Sequence, residues 1–287
     1  MGPFTTSGWT TLIDAASLAS QLDDVTLFDC RSELGNPHWG EAEYAKSHLP
    51  GAQFLHLDRD LSSPVSSDSG RHPLPDAHAF ARRLGQLGAG ADSQLIAYDQ
   101  GNGAYAARLW WLARWIGHQN VAVLDGGLAA WTGSGLQLET IRRAPVPRRM
   151  EVKLSAGAWL DSATVDELRR RPGTLLVDAR GAERFAGRNE TIDPVAGHIP
   201  GARNAPFTGN LASDGRFLPA QTLRLRWNTL LGSQPPAGLI AMCGSGVTAC
   251  HNLLAMEHAG LGGARLYAGS WSEWIRDPRR PIATGSY

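Results

Sequence analysis

The stretch Leu239–Ala259, LIAMCGSGVTACHNLLAMEHA, decides how the chain is read. Leu239-Ile240-Ala241-Met242 is a short unbroken apolar run, the pattern of a parallel strand buried on both faces. Cys243 stands at its carboxyl end, Gly244-Ser245-Gly246 follow, and Val247, Cys250, Leu253 and Leu254 then mark one face of a helix. Two glycines let the backbone turn sharply and gather its N–H groups into a small bowl. The bowl opens on a helix N-terminus, where unpaired donors and the helix dipole favour negative charge. A cysteine at its first position is therefore expected as a thiolate nucleophile, since thiols at helix N-termini titrate at roughly 3.5–7.5 against about 8.5 for a free thiol. The plain alternative is a small buried side chain, because cysteine packs well in cores. Glycines at the first and third following positions, with a helix behind them, favour the nucleophile.

Working outward, the same order of features occurs twice. Val25-Thr26-Leu27-Phe28 ends in Asp29-Cys30-Arg31 and is followed by His48-Leu49-Pro50-Gly51-Ala52. Leu95–Tyr98 ends in Asp99 and the loop Gly101-Asn102-Gly103, and a helix is expected from about Tyr105 to Ile116. The strand Val121–Leu124, Asp125-Gly126-Gly127 and Trp131 complete the unit. In the second half Leu175-Leu176-Val177 leads to Asp178-Ala179-Arg180, then His198-Ile199-Pro200-Gly201-Ala202, the strand before Cys243, Arg265-Leu266-Tyr267, Gly269 and Trp274. Asp29 to Asp178 is an offset of 149, His48 to His198 of 150, Asp99 to Cys243 of 144 and Trp131 to Trp274 of 143. A nearly constant offset is the mark of a duplicated domain, with loop insertions supplying the drift.

Short strands alternating with helices imply an α/β fold: two tandem domains, each a parallel sheet flanked by helices. The boundaries expected are an N-terminal domain over 1–143, a linker over 144–156 and a C-terminal domain over 157–287. The linker reading rests on Arg142-Arg143-Ala144-Pro145-Val146-Pro147-Arg148-Arg149, which is basic, proline-spaced and aperiodic. Ligands of parallel sheets bind beyond the strands' carboxyl ends. Cys243 holds that place in the second half and Asp99 in the first, where a carboxylate would repel anions; one half alone is expected to do chemistry.

The 287 residues suffice for two ordinary domains. With 27 basic and 27 acidic side chains the charge is balanced, which argues against nucleic acid or an anionic membrane as partner. No apolar run approaches a membrane span, and MGPFTTSGWTTLID has neither the basic nor the apolar region of a secretory signal. Three cysteines, Cys30, Cys243 and Cys250, are too few for a disulfide framework and point to a reducing compartment, the cytoplasm by default.

Two tandem units with D-x-R, H-[IL]-P-G-A and a C-G-S-G-V-T-A loop resemble the rhodanese superfamily, most of all its two-domain sulfurtransferases acting on 3-mercaptopyruvate or thiosulfate. The resemblance runs from about Leu12 to Arg276. It implies an inactive N-terminal domain and a Cys243 persulfide cradled by the N–H groups of Gly244, Ser245, Gly246, Val247 and Thr248. It further implies a Ser245–His72–Asp58 relay, with Arg184 binding the donor's carboxylate. The family's second arginine lies in a stretch that here reads Arg188-Asn189-Glu190-Thr191-Ile192-Asp193-Pro194, so Arg188 is the expected substitute. The implied partners are a small anionic sulfur donor and a thiol acceptor such as thioredoxin or a small thiol; cyanide can also serve as acceptor. Neither metal nor organic cofactor is implied. Because Gly244 and Ser245 are neutral, the loop is expected to favour 3-mercaptopyruvate over the compact thiosulfate dianion, with thiosulfate:cyanide transfer as the alternative activity.

Other classes fit less well. Gly101-x-Gly103-x-x-Ala106 with Asp125 further on has the outline of a dinucleotide-binding loop, but Gly244-x-Gly246-x-x-Ala249 repeats it behind a cysteine, so duplication explains both. Cysteine phosphatases need C-x5-R, and the sixth residue after Cys243 is Ala249. Cys243 and Cys250, seven apart, lack the paired spacing of a zinc site.

Overall fold

Unbroken apolar runs become strands with no exposed face. The computed structural model describes residues 8–285; the first seven residues of the amino-terminal stretch, and the last two of the chain, lie outside it. The first half runs β1 (Leu12–Ile13), α1 (Ala15–Ala19), β2 (Val25–Asp29), α2 (Trp39–Lys46), β3 (Gln53–Phe54), α3 (Ala77–Gln86), β4 (Gln94–Tyr98), α4 (Ala106–Trp115), β5 (Val121–Leu124) and α5 (Gly127–Gly133). The second half runs β6 (Trp159–Leu160), α6 (Ser162–Leu168), β7 (Leu175–Asp178), α7 (Ala182–Phe185), β8 (Arg203–Asn204), α8 (Ala220–Leu231), β9 (Leu239–Met242), α9 (Thr248–His258), β10 (Arg265–Tyr267) and α10 (Ser270–Trp274). Each half forms one five-stranded sheet, ordered β1-β5-β4-β2-β3 and β6-β10-β9-β7-β8, with every pairing parallel. All four residues of β5, β7 and β9 are buried, as helices on both faces of a parallel sheet require.

The repeated motifs hold corresponding corners of the two sheets. Asp29 pairs with Arg31 at 2.6 Å and Asp178 with Arg180 at 2.7 Å, all four side chains buried. Each arginine also donates to a carbonyl before the H-x-P-G-A turn, Ser47 in one half and Gly197 in the other. His48 lies flat on Tyr44 and His198 on Phe185, with ring centroids 4.1 and 3.8 Å apart. These conspicuous polar residues therefore close the β2–β3 and β7–β8 connections.

The amphipathic reading of the helix after Cys243 is too narrow. In α9 the residues from Ala249 to Met256 are all buried, and in α4 those from Ala106 to Ala113. The reason is tertiary: α4 and α9 pack on each other between the two sheets. Leu109, Trp110 and Ala113 share one continuous core with Leu253, Leu254 and Met256, while separate clusters fill the outer face of each sheet. The proline-spaced segment between the halves has no helix or strand, yet it is docked on the first half. Arg148 N–H donates to the Gly85 carbonyl, Lys153 N–H to Ile116 and Ser155 N–H to Trp115.

His251 sits in this central layer. Its ring stacks on Phe217 at 4.3 Å, its Nε2 bonds the Asn102 carbonyl of the other half at 2.9 Å, and its Nδ1 faces Asn210 Nδ2 at 3.3 Å. Burial pushes it down to about 3, against about 6.5 for a free imidazole. The unfolded chain thus takes up this proton below about pH 6.5 while the folded protein does so only near 3, so stability falls as the pH drops through that window. Burial lowers His72, His118 and His258 as well, which adds in the same direction. For His251 alone the expected loss between pH 6.5 and 4.5 is about 2–3 kcal/mol. Urea unfolding at the two pH values should show it, and His251→Gln should lose markedly less; an equal loss would mean that other groups drive acid unfolding.

Candidate active site

The loop after β9 is held at both of its glycines. Gly246 has φ +79°, and a Cβ there would lie 2.3 Å from the Ala268 carbonyl oxygen, so no other residue fits. Cys243 Sγ is almost fully buried and accepts the N–H groups of Gly246 at 3.1 Å and Ser245 at 3.4 Å. Ser270 fixes the cysteine from behind, its Oγ accepting the Cys243 N–H at 3.1 Å and donating to the Tyr267 carbonyl at 2.9 Å. It does so at φ 54°, where the first half has Gly127 at φ 53°, and it is the one non-glycine residue at positive φ among the described residues. Such strain costs on the order of 1–3 kcal/mol and marks a position the surroundings over-determine.

The equivalent loop of the first half is filled by its own side chain. Asp99 Oδ1 accepts the N–H groups of Gly101 and Gly103, and Oδ2 those of Tyr105 and Ala106, at 2.9–3.2 Å. Burial pushes this carboxyl up, and the four donors work against that. The donors that would have to hold a dinucleotide's pyrophosphate are thus already engaged, which removes the physical basis of that reading.

A segment of the first half crosses to the Cys243 loop. Arg71 N–H donates to Ser272 Oγ at 3.0 Å, and a Cβ on Gly70 would meet the Gly269 carbonyl oxygen at 2.6 Å. This crossing places His72 Nδ1 2.7 Å from Ser245 Oγ and His72 Nε2 3.2 Å from Asp58 Oδ1. Asp58 is half exposed and His72 buried. Burial lowers the His72 pKa against the opposing hydrogen bond to Asp58, and that same bond holds Asp58 below the usual carboxylate range. The geometry suits a neutral imidazole that donates to Asp58 and accepts from the Ser245 hydroxyl.

Two arginines overlook the loop. A Cβ on Gly244 would stand 2.7 Å from Arg71 Nη2 and 3.6 and 3.8 Å from the two terminal nitrogens of Arg184. Arg184 arrives from α7 of the second half and Arg71 from the first. The neutral sequence of the loop is therefore misleading, because a cation absent from the loop itself is delivered by a residue 172 positions earlier. Arg188 is not brought to the loop; it is exposed and pairs with Glu183 at 2.5 Å. Val247 and Thr248 open α9, where the first turn of a helix presents its unpaired donors.

The sequence reading missed Arg71 and Arg108. Arg71 had a signal, since it directly precedes His72. Arg108 is the charged residue of the helix string AARLWWLARW that lies in its fully buried part. Its guanidinium donates to the carbonyls of Gly246 at 3.2 Å, His72 at 3.1 Å, and Leu61 and Pro73 at 3.4 Å. It thereby ties the crossing segment to the cysteine loop. Cys250 and Cys30 are buried, and burial pushes Cys250 up to about 12 and Cys30 well above the usual thiol range.

The sequence matches the Rhodanese-like domain family twice, over residues 14–134 and 161–277. The chain belongs to the rhodanese-like family. Among its relatives, the "Probable 3-mercaptopyruvate sulfurtransferase" of Pseudomonas aeruginosa is 51% identical over 278 residues, covering 96% of this chain and 98% of that protein. The "Thiosulfate sulfurtransferase" of Cricetulus griseus is 35% identical over 254 residues, covering 85% and 83%. The solved 3-mercaptopyruvate sulfurtransferase from Leishmania major superposes with a TM-score of 0.82 at 32% identity, covering 96% of this chain and 77% of that one. As a rhodanese-family protein of two domains, this chain has one cysteine-bearing loop and one closed by aspartate. No helix among the described residues is long and apolar enough to cross a membrane.

Proposed function

We propose that this protein is a sulfurtransferase that takes sulfane sulfur from 3-mercaptopyruvate onto Cys243 and passes it as a persulfide to a thiol or cyanide. The observation that carries the reading is the convergence of three devices on the Cys243 loop: backbone donors to Sγ at 3.1 and 3.4 Å, the Ser245–His72–Asp58 chain, and the Arg71 and Arg184 guanidinium groups above Gly244. The relatives' names support the same donor.

The donor's carboxylate pairs with the free edges of Arg71 and Arg184, a task that suits a permanently charged planar fork. The Cys243 thiolate attacks the donor's sulfur, the S–S bond forms, and the C–S bond breaks with its electron pair passing to the pyruvate enolate. The proton of the donor's own sulfhydryl leaves through Ser245 Oγ to His72 and returns to the enolate carbon, which gives pyruvate and an anionic persulfide. The N–H groups of Gly244, Ser245, Gly246, Val247 and Thr248 surround the outer sulfur. Cyanide then removes that sulfur as thiocyanate and restores the thiolate. A small thiol, or a protein dithiol such as thioredoxin, can take it in the same way, which suits a reducing cytoplasm; the three cysteines are all free and buried.

Steady-state kinetics test this. kcat/KM with 3-mercaptopyruvate should exceed that with thiosulfate, and mass spectrometry should find one added sulfur after exposure to donor without acceptor. Ser245→Ala should lower kcat with 3-mercaptopyruvate by roughly 10²-fold, the ordinary worth of a positioned proton carrier. Thiosulfate should be much less affected, because sulfite leaves without needing a proton. A ratio favouring thiosulfate, with Ser245→Ala harmless on both donors, would support the thiosulfate:cyanide reading, for which Arg71 above the loop is the relevant observation.

A further inference from the structure

Asp193 lies outside the cysteine loop, yet it touches both arginines that overlook it. One carboxylate oxygen accepts from Arg71 Nη1 of the first half, the other from Arg184 Nη2 of the second at 3.0 Å. Its side chain is 2% exposed, so this contact bridges the halves away from solvent. The turn that presents it is built around Glu190, also 2% exposed, which accepts the N–H groups of Ile192 and Asp193 at 2.9 and 3.0 Å. Glu190 further accepts Arg184 Nε at 3.0 and 3.1 Å and Arg180 Nη1 at 3.4 Å, while Arg180 completes the buried pair with Asp178. Arg71, Arg180 and Arg184 thus face Asp178, Glu190 and Asp193, and the cluster above Cys243 has no net formal charge. Arg71 Nη2, the guanidinium nitrogen nearest Gly244, is left uncovered by these carboxylates; of the two Arg184 nitrogens behind it, Nη2 is held by Asp193 and Glu190, and Nη1 is the one that faces neither.

We infer that Asp193 is a specificity-determining residue for the sulfur donor: it draws the two arginines together and cancels their charge, so that the cleft takes a monoanionic 2-oxo acid thiol in preference to a dianionic inorganic one. The inference rests on the sulfurtransferase reading above. Any surplus positive charge attracts a dianion twice as strongly as a monoanion, whereas hydrogen-bond donors serve both. The net charge of the clasp, and not the number of its N–H groups, therefore separates the two donors. Arg71 and Arg184 stay correctly placed only while something negative lies between them, and Asp193 performs both tasks from one position.

Asp193→Asn keeps the shape of the side chain and removes the charge. With the full-length protein and cyanide as acceptor, the ratio of kcat/KM for thiosulfate to that for 3-mercaptopyruvate is expected to rise about tenfold, a change of about 1.4 kcal/mol. The rise should shrink as ionic strength increases. Asp193→Glu, which keeps the charge, should hold the ratio within about twofold of the unaltered protein. Should Asp193→Asn not fold, Glu190→Gln removes one charge from the same cluster and carries the same expectation. An unchanged or lowered ratio, including an equal loss on both donors, would overturn the inference and leave Asp193 as a prop for its turn. If the unaltered protein turned over neither donor, the sulfurtransferase reading would fall first, and that result is distinct.

Discussion

Cys243→Ser is expected to abolish sulfur transfer from every donor, by roughly 10⁴-fold or more, while the protein keeps its fold. A serine has nearly the volume of the cysteine and can still meet the Ser245 and Gly246 N–H groups that now face Sγ. Its hydroxyl stays protonated at neutral pH, however, and its oxygen forms no persulfide, so the chemistry stops at the first step. Thermal unfolding should move little, because the loop is held by Gly246 against Ala268 and by the Ser270 bond to the residue 243 N–H, neither of which needs sulfur. Cys250→Ser and Cys30→Ser should retain most turnover. Cys250 Sγ donates to the Gly246 carbonyl at 3.2 Å, a bond that a hydroxyl can reproduce, and its pKa of about 12 keeps it protonated. Thiocyanate formation and the intact mass after donor exposure read both outcomes. Appreciable turnover by Cys243→Ser would show that the nucleophile lies elsewhere.

Replacing either overlooking arginine should be almost as damaging, and through KM. Arg71→Ala removes the guanidinium closest to Gly244 and leaves one oxygen of the buried Asp193 carboxylate unpaired, facing the incoming anion. Arg184→Ala frees the other oxygen and takes from Glu190 the nearer of its two charged partners, leaving Arg180 at 3.4 Å. Breaking a desolvated, hydrogen-bonded charge pair costs roughly 2–5 kcal/mol, or about 30-fold to several thousand-fold in kcat/KM. Arg71→Ala should show the larger effect on donor binding, and Arg184→Ala the larger loss of thermal stability, since it unpairs more buried charge. Arg188→Ala should change neither, because Arg188 and Glu183 form an exposed pair of the kind that contributes little. An unchanged KM for both donors in Arg71→Ala and Arg184→Ala would place the carboxylate site elsewhere.

The amino-acid sequence by itself determined the duplication, the parallel strands and the position of Cys243. Strands buried on both faces must be unbroken apolar runs, and β9 is one. A strand that turns straight into a helix needs a residue without a Cβ where the chains touch, which is Gly246 against Ala268. Such constraints act within a few residues, so they can be read locally, and the repeat doubled the signal. The contacts that make Cys243 a site belong to the tertiary structure. His72 meets Ser245 across 173 residues, Arg71 meets Asp193 across 122, and Arg108 reaches Gly246 across 138. No periodicity records that pairing, which exists only because α4 and α9 pack together and lay the 69–73 segment along the second half's loop. The same packing buries both helices all round and so hides their polarity from the sequence pattern. Arg188 and Arg71 show the limit most plainly. Both are arginines near motif residues, and only the path of the folded chain turns one towards solvent and the other towards Cys243, because the charge an arginine meets is set by distant segments and not by its neighbours in sequence.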